Sequence, residues 1–249
     1  PTPLLKRLAA ARKTAITKGT TFDNLKNLAP GFARDIVARY DGTRLGRQEL
    51  MAELLEDTPG ALWLRSTLDD ARVDRHPPLT RIVVAVDPPA SMGENADECG
   101  IVAAGLAANG TAYVLEDGSV QGLSPHGWAA RAVALYHTLA ADRMVAEVNM
   151  GGAMVEAIIR EIDPVVAYRG VHASRGKIAR AEPVAALYEQ GRVKHYGAFP
   201  VLEDQMCNYT GVRRPGGGQC NSPDRMDALV WALTDLMLGR KTSPNIRTL

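Results

Sequence analysis

Cysteine is nearly absent from this chain. Its 249 residues include three, Cys99, Cys207 and Cys220. An odd number with no CxxC pair argues against a disulfide framework or a zinc site, and fits a reducing cytoplasm. Long apolar runs are missing too. None approaches the roughly 18 residues that a membrane span needs, so no membrane is expected as a partner. Neither sign of charge is in large excess, the formal net charge being +1. A nucleic-acid reading must then rest on local patches. The basic first segment, PTPLLKRLAAARKTAITKGTT, lacks the apolar core of a secretory signal. It begins with Pro, so a processed chain or a piece of a longer protein is expected. Aromatic residues make up only 5%. Ala, Val and Leu dominate instead, which suits helices and buried parallel strands.

What is there divides near residue 78. Residues 1–80 carry short helical patterns at 30–40 and 45–56, no strong strand, and thirteen Lys or Arg against ten Asp or Glu. The run DRHPP (74–78) reads as a linker, because two prolines break any regular element. From Arg81 the pattern changes. RIVVAVD is a short apolar run with turn signals around it, the mark of a buried strand. ECGIVAAGLA and TAYVLED flank Asn109-Gly110, a strong hairpin signal. Ser124-Pro125 opens a helix to about Ala140, with Ser as N-cap and Pro at the first helical position. RMVAEVN and PVVAYRG read as further strands. AMVEAIIREI, EPVAALYEQ (closed by Gly191), VLEDQMCNY and DRMDALVWALTDLML read as helices, the last opened by Ser222-Pro223. Strands alternating with helices predict a mixed sheet covered on both faces, its first three strands an antiparallel meander.

The chemistry is expected at strand ends. Asp87 closes RIVVAVD and Glu147 follows Met144, Val145 and Ala146. Carboxylates at the ends of buried strands are costly unless something pairs them. A hard divalent cation such as Mg²⁺ or Mn²⁺ would do so. Asp224 and Asp227 are three apart and share one face of the last helix, whose apolar face would pack on the sheet and bring them to the same rim. Each acid also has a bland reading. Asp87 could cap a turn before Pro88-Pro89, Glu147 could pair with Arg143 or Arg169, and Asp224 could be a helix N-terminal charge. Taken together, acids on the first and fourth strands and on a terminal helix are the arrangement of a ribonuclease H-like nuclease. The expected fold is therefore α/β, a ribonuclease H-like mixed sheet flanked by helices, with a mainly helical N-terminal extension.

The residues resemble a family. RIVVAVDPPAS is similar to the first acidic motif of the large terminase subunit of tailed bacteriophages, specifically its C-terminal nuclease domain, which also occurs in phage-like gene transfer agents. AEVNMGGAMV resembles the second motif, GKIARAEPVAALYEQGRVKH a following Lys/Arg block, and SPDRMDALVWAL the third acidic motif. The stretch TTFDNLKNLAPGFARDIVARYDGTRLGRQELMAELLEDTPGALW resembles the tail of the ATPase portion. The resemblance divides the chain into 1–77, tail of the ATPase portion and linker, and 78–249, the nuclease domain. No GxxxxGK[ST] occurs, so the phosphate cradle of an ATPase is absent from this sequence.

The resemblance implies a metal-dependent endonuclease that cuts double-stranded DNA, with little sequence preference, during packaging in the host cytoplasm. Its partners would be a portal protein and a small terminase subunit. It implies two Mg²⁺ or Mn²⁺ ions, with Asp87 bridging, Glu147 on one ion and Asp227 on the other, and Asp224 as ligand or neighbour. Residues 169–214 hold eight Lys or Arg against four acids, a basic segment suited to phosphate. Lys177 and Arg180 are the first candidates for DNA contact, then Arg175, Arg213 and Arg214. A solvated helix face and a plain loop tip are the alternatives for these. Two rival functions stay open: a Holliday-junction-type or other ribonuclease H-like nuclease, and an inactive docking module of the motor. His126, His137, His172 and His195 show no metal spacing and read as exposed or packing residues. Trp63, Trp128 and Trp231 read as core or domain contacts.

Overall fold

The apolar run of RIVVAVD becomes the middle of a sheet. In the computed structural model, residues 83–86 have no exposed surface, as a strand covered on both faces requires. The structure describes residues 60–89, 98–148, 152–211 and 223–239, together with 8, 11, 14–29, 50–52 and 58. Among these are seven strands: β1 (Arg72–Val73), β2 (Leu79–Asp87), β3 (Gly100–Ala107), β4 (Ala112–Asp117), β5 (Arg143–Glu147), β6 (Tyr168–Val171) and β7 (Val193–Tyr196). The helices are α1 (Arg65–Ala71), α2 (Pro125–Thr138), α3 (Gly152–Ile162), α4 (Lys177–Glu189), α5 (Pro200–Asn208) and α6 (Asp224–Leu233), the last continued by a π turn at Thr234–Leu238.

The sheet order is β1-β7-β4-β3-β2-β5-β6. β2, β3 and β4 form the expected antiparallel meander. β5 runs parallel to β2, β6 to β5, β7 to β4 and β1 to β7. At the β3–β4 turn Gly110 has φ +81°, a left-handed conformation that only glycine adopts without cost. Ser124 Oγ accepts from the Gly127 N–H at 3.1 Å and caps α2 as its residue type predicts.

Alternation sorts the sheet into two cores. Val83, Ala85, Val102, Ala104, Val114 and Val145 face α4, α5 and α6. Val84, Val86, Ile101, Ala103, Met144 and Ala146 face α2 and α3. Each buried valine contributes about 1.5–3 kcal/mol, so a one-residue slip of β2 would exchange both faces and is strongly disfavoured.

Three departures from the sequence reading have physical causes. β7 is not expected from VKHY, since Lys194 and His195 interrupt its apolar character. It is a strand because Val193 and His195 point into the core while β4 and β1 pair with it on either side. β1 is two residues long, too short for any period to register. Residues 61–73, read as part of the extension, supply Trp63, Leu68 and Ala71 to the core. The helical patterns at 30–40 and 45–56 lie outside the described residues apart from 50–52.

His195 is not exposed. It is fully buried and lies 2.7 Å from the Tyr188 hydroxyl through Nε2 and 3.1 Å from Glu203 Oε1 through Nδ1. Glu203 also accepts from the Phe199 N–H at 3.2 Å and from Arg72 at 2.9 Å. Burial pushes the Glu203 carboxyl up, but the His195 hydrogen bond, the charges of His195 and Arg72 and the Phe199 amide outweigh it and hold it below its ordinary value. A depressed folded value means stabilisation that is present above the unfolded glutamate value and lost as pH falls through the folded one. Glu203→Gln is therefore expected to cost about 3 kcal/mol at neutral pH, by leaving buried arginine charge uncompensated. Urea melts at pH 7 and at about pH 4 check this: the gap between parent and variant narrows in acid.

Candidate metal centre

Register alone brings two acids together. Val86 pairs with Ala146 in the parallel β2–β5 ladder, so Asp87 and Glu147 end adjacent strands at one rim. On the other side Asp87 stands opposite Gly100 of β3. α6 lies across β2 and β3 with its first turn at that rim, carrying Asp224 and Asp227, both buried. Asp87, Asp224 and Asp227 each place a carboxylate oxygen within 4.8 Å of the others'.

Such closeness needs a gap in the strand, and Gly100 is the gap. A Cβ there would overlap the Asp224 carbonyl, so no other residue lets the helix end come this near. The first turn of α6 has no cap of its own; Pro223 precedes it without a side-chain hydrogen bond. Its cap comes from α5. Gln205 Oε1 accepts from the N–H groups of Arg225 at 3.0 Å and Met226 at 3.2 Å. The Arg225 side chain turns away from the acids and grips Glu98 through Nε at 2.7 Å and Asp117 through a terminal nitrogen at 2.7 Å. A second terminal nitrogen binds the other Glu98 oxygen. The segment leading into β3 and the end of β4 are thus both tied to Arg225, the residue after Asp224.

The acids are partly neutralised from α4. Lys177 binds Asp227, and Arg180 donates to Glu147 Oε2 at 3.0 Å and lies 3.7 Å from Asp227. Trp231 Nε1 donates to the same Glu147 oxygen at 2.7 Å, and the Arg180 guanidinium sits 4.7 Å over the Trp231 ring, a cation–π contact. The Asp87 carboxylate accepts no hydrogen bond from any described residue. Burial, then the charges of Asp227, Glu147 and Asp224, push its carboxyl well above the usual range, with Lys177 opposing. Burial likewise raises Asp227 despite Lys177 and Arg180. Crowded, buried carboxylate oxygens with a raised proton affinity are a donor set for a hard divalent cation. Asp87, Asp224 and Asp227 fit one ion directly; Glu147 stands one strand away, at the edge of the same cluster.

The sequence model of the terminase RNaseH-like domain matches residues 84–236. The chain belongs to this family. No curated protein matches it by sequence. Among solved structures, the nuclease domain of the large terminase subunit of bacterial virus Sf6 is 14% identical with TM-score 0.53, covering 70% of this chain and 98% of that one. The P22 large terminase nuclease domain is 11% identical with TM-score 0.51, covering 68% and 90%. A large terminase from a thermophilic bacteriophage, in complex with ADP, is 14% identical with TM-score 0.55. It is covered over 55% of its length while 88% of this chain aligns. The mixed seven-stranded sheet flanked by helices is thus the ribonuclease H-like terminase nuclease fold.

Within this terminase fold, all four acids singled out in the sequence meet at one rim. The turn-cap reading of Asp87 has no support among the described residues. Glu147 does not pair with Arg143 or Arg169, which bind Asp235 instead. Arg175 is exposed near the start of α4. Arg213 and Arg214 lie outside the described residues, as does Ser222. Sequence reasoning missed Gly100, Glu98, Asp117, Gln205 and Arg225, whose roles depend on contacts between distant segments. Trp231 was legible in principle, one helical turn beyond Asp227 on the same face.

Two outcomes follow from this geometry. Without metal, Asp87→Asn removes a repelling charge, so the variant is expected to melt above the parent in chelator, on the order of 2–4 °C, which is about 1 kcal/mol in a domain of this size. Gly100→Ala keeps every carboxylate but pushes the helix end away. Isothermal titration with Mn²⁺ is expected to show affinity at least about tenfold lower than the parent, a loss of the size that displaced supporting groups cause.

Proposed function

We propose that this terminase nuclease domain is a divalent-metal-dependent endonuclease that hydrolyses double-stranded DNA during packaging of a viral or virus-like genome. The observation that carries the reading is the convergence of Asp87, Asp224 and Asp227 within 4.8 Å of one another, with Glu147 on the adjoining strand. An inactive docking module would have no cause to crowd buried acids in this way. A mutant of the Sf6 nuclease domain has been solved with manganese (13% identical, TM-score 0.51, covering 70% of this chain and 98% of that one), and we carry Mg²⁺ or Mn²⁺ to this chain as its proposed cofactor. Two such ions, when bound, would supply an activated water and stabilise charge on the attacking and leaving oxygens.

The side chains divide the remaining work. Asp87 lies between the helix acids and Glu147 and is the proposed bridging ligand. Asp224 and Asp227 would hold one ion, and Glu147 with Asp87 the other. Lys177 and Arg180 are proposed for different tasks. The Lys177 side chain is 40% exposed and is placed to meet a phosphate oxygen. Arg180, at 10%, orients Glu147 and Asp227 from behind. Arg175, exposed just before α4, and Arg213 and Arg214 are proposed as outer backbone contacts. Nothing in this arrangement supplies a base-reading element, so cleavage is expected to show little sequence preference.

The wider setting is also a proposal. No helix among the described residues is long and apolar enough to cross a membrane. We place the protein in the cytoplasm of a bacterial host, working with a portal protein and a small terminase subunit, in a phage or a gene transfer agent. Residues 1–77 are read as the tail of an ATPase portion and its linker, with 61–73 docked on the nuclease sheet.

Plasmid cleavage tests the central claim. The parent is expected to nick and linearise supercoiled DNA in Mn²⁺ and to stop on addition of chelator. Asp87→Ala is expected to lose more than the roughly 10–100-fold that outer-shell changes cost, with an unchanged circular dichroism spectrum. A folded variant that cuts as fast as the parent sinks the reading.

A further inference from the structure

Three arginines form a row that the proposed site does not use. Arg81, Arg143 and Arg169 lie on the adjacent strands β2, β5 and β6. They share the sheet face that α6 covers, because Val83, Val145 and Val171, two residues on in each strand, pack into that core. The register sets them on a diagonal. Arg143 is opposite Val83, and Arg169 is opposite Val145. Each step is therefore one strand sideways and two residues forward, about 8 Å from the 4.8 Å strand spacing and 3.3 Å rise. One more step along β5 leads from the level of Arg169 to Glu147, which is opposite Val171, and Arg180 is bonded to it. The row starts at the far end of β2 and ends on the edge strand β6, two residues short of the level of Glu147.

What gathers the three charges is a single carboxylate. Asp235, delivered by the π turn after α6, is 3% exposed at its side chain and binds Arg81 and Arg143, the latter at 3.3 Å, and Arg169 at 2.7 Å. It engages one terminal nitrogen of each. A guanidinium has five N–H donors and a carboxylate about four acceptor sites, so most of the donors on this row are not taken up by Asp235. The side chains are 33%, 37% and 53% exposed, rising toward the edge strand. The neighbouring acid, Asp142, spends an oxygen on the Ile82 N–H at 2.7 Å. Fixed, half-exposed guanidiniums in excess of nearby carboxylates suit a ligand made of evenly repeated anions. An acidic peptide could supply charge, but a regularly stepped row that climbs from the far end of β2 toward the level of the proposed cutting site favours a nucleic-acid backbone.

We infer that Arg81, Arg143 and Arg169 form a phosphate-binding track that holds the DNA backbone beside the candidate metal centre. Asp235 keeps the three guanidiniums aligned when DNA is absent. The inference rests on the endonuclease reading for its ligand, but its test does not depend on cleavage.

The experiment uses a fluorescent duplex of about 30 base pairs, long enough to span both sites. Anisotropy titrations in chelator, where no cutting occurs, are run over a range of salt. The variants are Arg169→Gln, Arg143→Gln and the triple Arg-to-Gln, with Arg131→Gln, an exposed arginine on α2 at the other sheet face, as control. Each lost contact is expected to reduce the slope of log K against log salt by about 0.9. The triple variant is expected to bind about tenfold or more weakly at about 0.1 M salt, and the control like the parent. Arg169→Gln, the most exposed of the three, leaves two arginines on Asp235, so its slope answers the question even if the triple variant is unstable. A folded Arg169→Gln and Arg143→Gln with the parent's slope overturn the track. So does a triple variant that binds duplex normally but loses binding to polyglutamate, which would make the partner an acidic protein. If the parent fails to cut plasmid in Mn²⁺ yet its binding shows the arginine-dependent slope, the nuclease reading fails and the track stands. If it cuts but the slope does not depend on the arginines, the track fails and the nuclease reading stands.

Discussion

Like charges held close together at a largely buried rim are the constraint on which this structure turns. Asp87, Asp224 and Asp227 repel one another, and burial sharpens the repulsion. A fold left to relax would move α6 off the rim. It cannot, because the helix end is fastened on sides that do not touch the acids' oxygens. Gly100 admits it, Gln205 caps it, and Arg225 is held by Glu98 and Asp117 at the ends of two neighbouring strands. The Arg225 side chain is held by hydrogen bonds to charged groups, each worth about 1.5–3 kcal/mol, and the Gln205 cap adds neutral bonds of about 0.5–1.5 kcal/mol each. Stability is given up at the rim and recovered just behind it, as expected at a candidate functional site.

α6 organises charge at both ends. Its first turn gathers carboxylates, which the helix dipole favours. Its π continuation presents Asp235 to three arginines. A regular α-turn would carry Asp235 around the axis by a different angle, and π turns often mark functional positions. Between these ends the helix is almost entirely apolar and buried. The two charge clusters are therefore rigidly spaced, since neither can shift without dragging the packed middle of the helix across β2 and β3.

How much of this was legible depends on the range of each interaction. Strands β2 to β6 and the order of the elements follow from apolar runs and turn residues, which are local. So does the meeting of four acids, because a strand end and a helix face can be read from period alone. β7 was not legible, since its inward residues are one valine and one histidine. The pairing of Arg143 and Arg169 with Asp235 was not legible, because Asp235 lies more than sixty residues away and reaches them only through a π turn. Likewise Lys177 and Arg180, three apart on one helix face, look like a matched pair, yet one is half-exposed and the other buried between Glu147 and Trp231. Sequence spacing gives the face, not the depth.

α5 shows why residues 61–73 belong with the sheet. Its consecutive residues Glu203, Asp204 and Gln205 face different ways. Glu203 is bound by Arg72 and sits 3.7 Å from Arg65, and Asp204 is bound by Arg65, so two residues of the short helix answer to the segment that precedes β2. Gln205 answers to α6 and to Glu98. One turn of helix cannot stretch, because its length is fixed by its own backbone hydrogen bonds. The position of Arg65 and Arg72 is thus mechanically linked, through three adjacent residues, to the cap of the helix that carries Asp224 and Asp227. The buried Tyr188–His195–Glu203 chain stiffens the same link from below. Residues 61–73 are accordingly part of what sets the spacing of the acids, although none of them touches the rim.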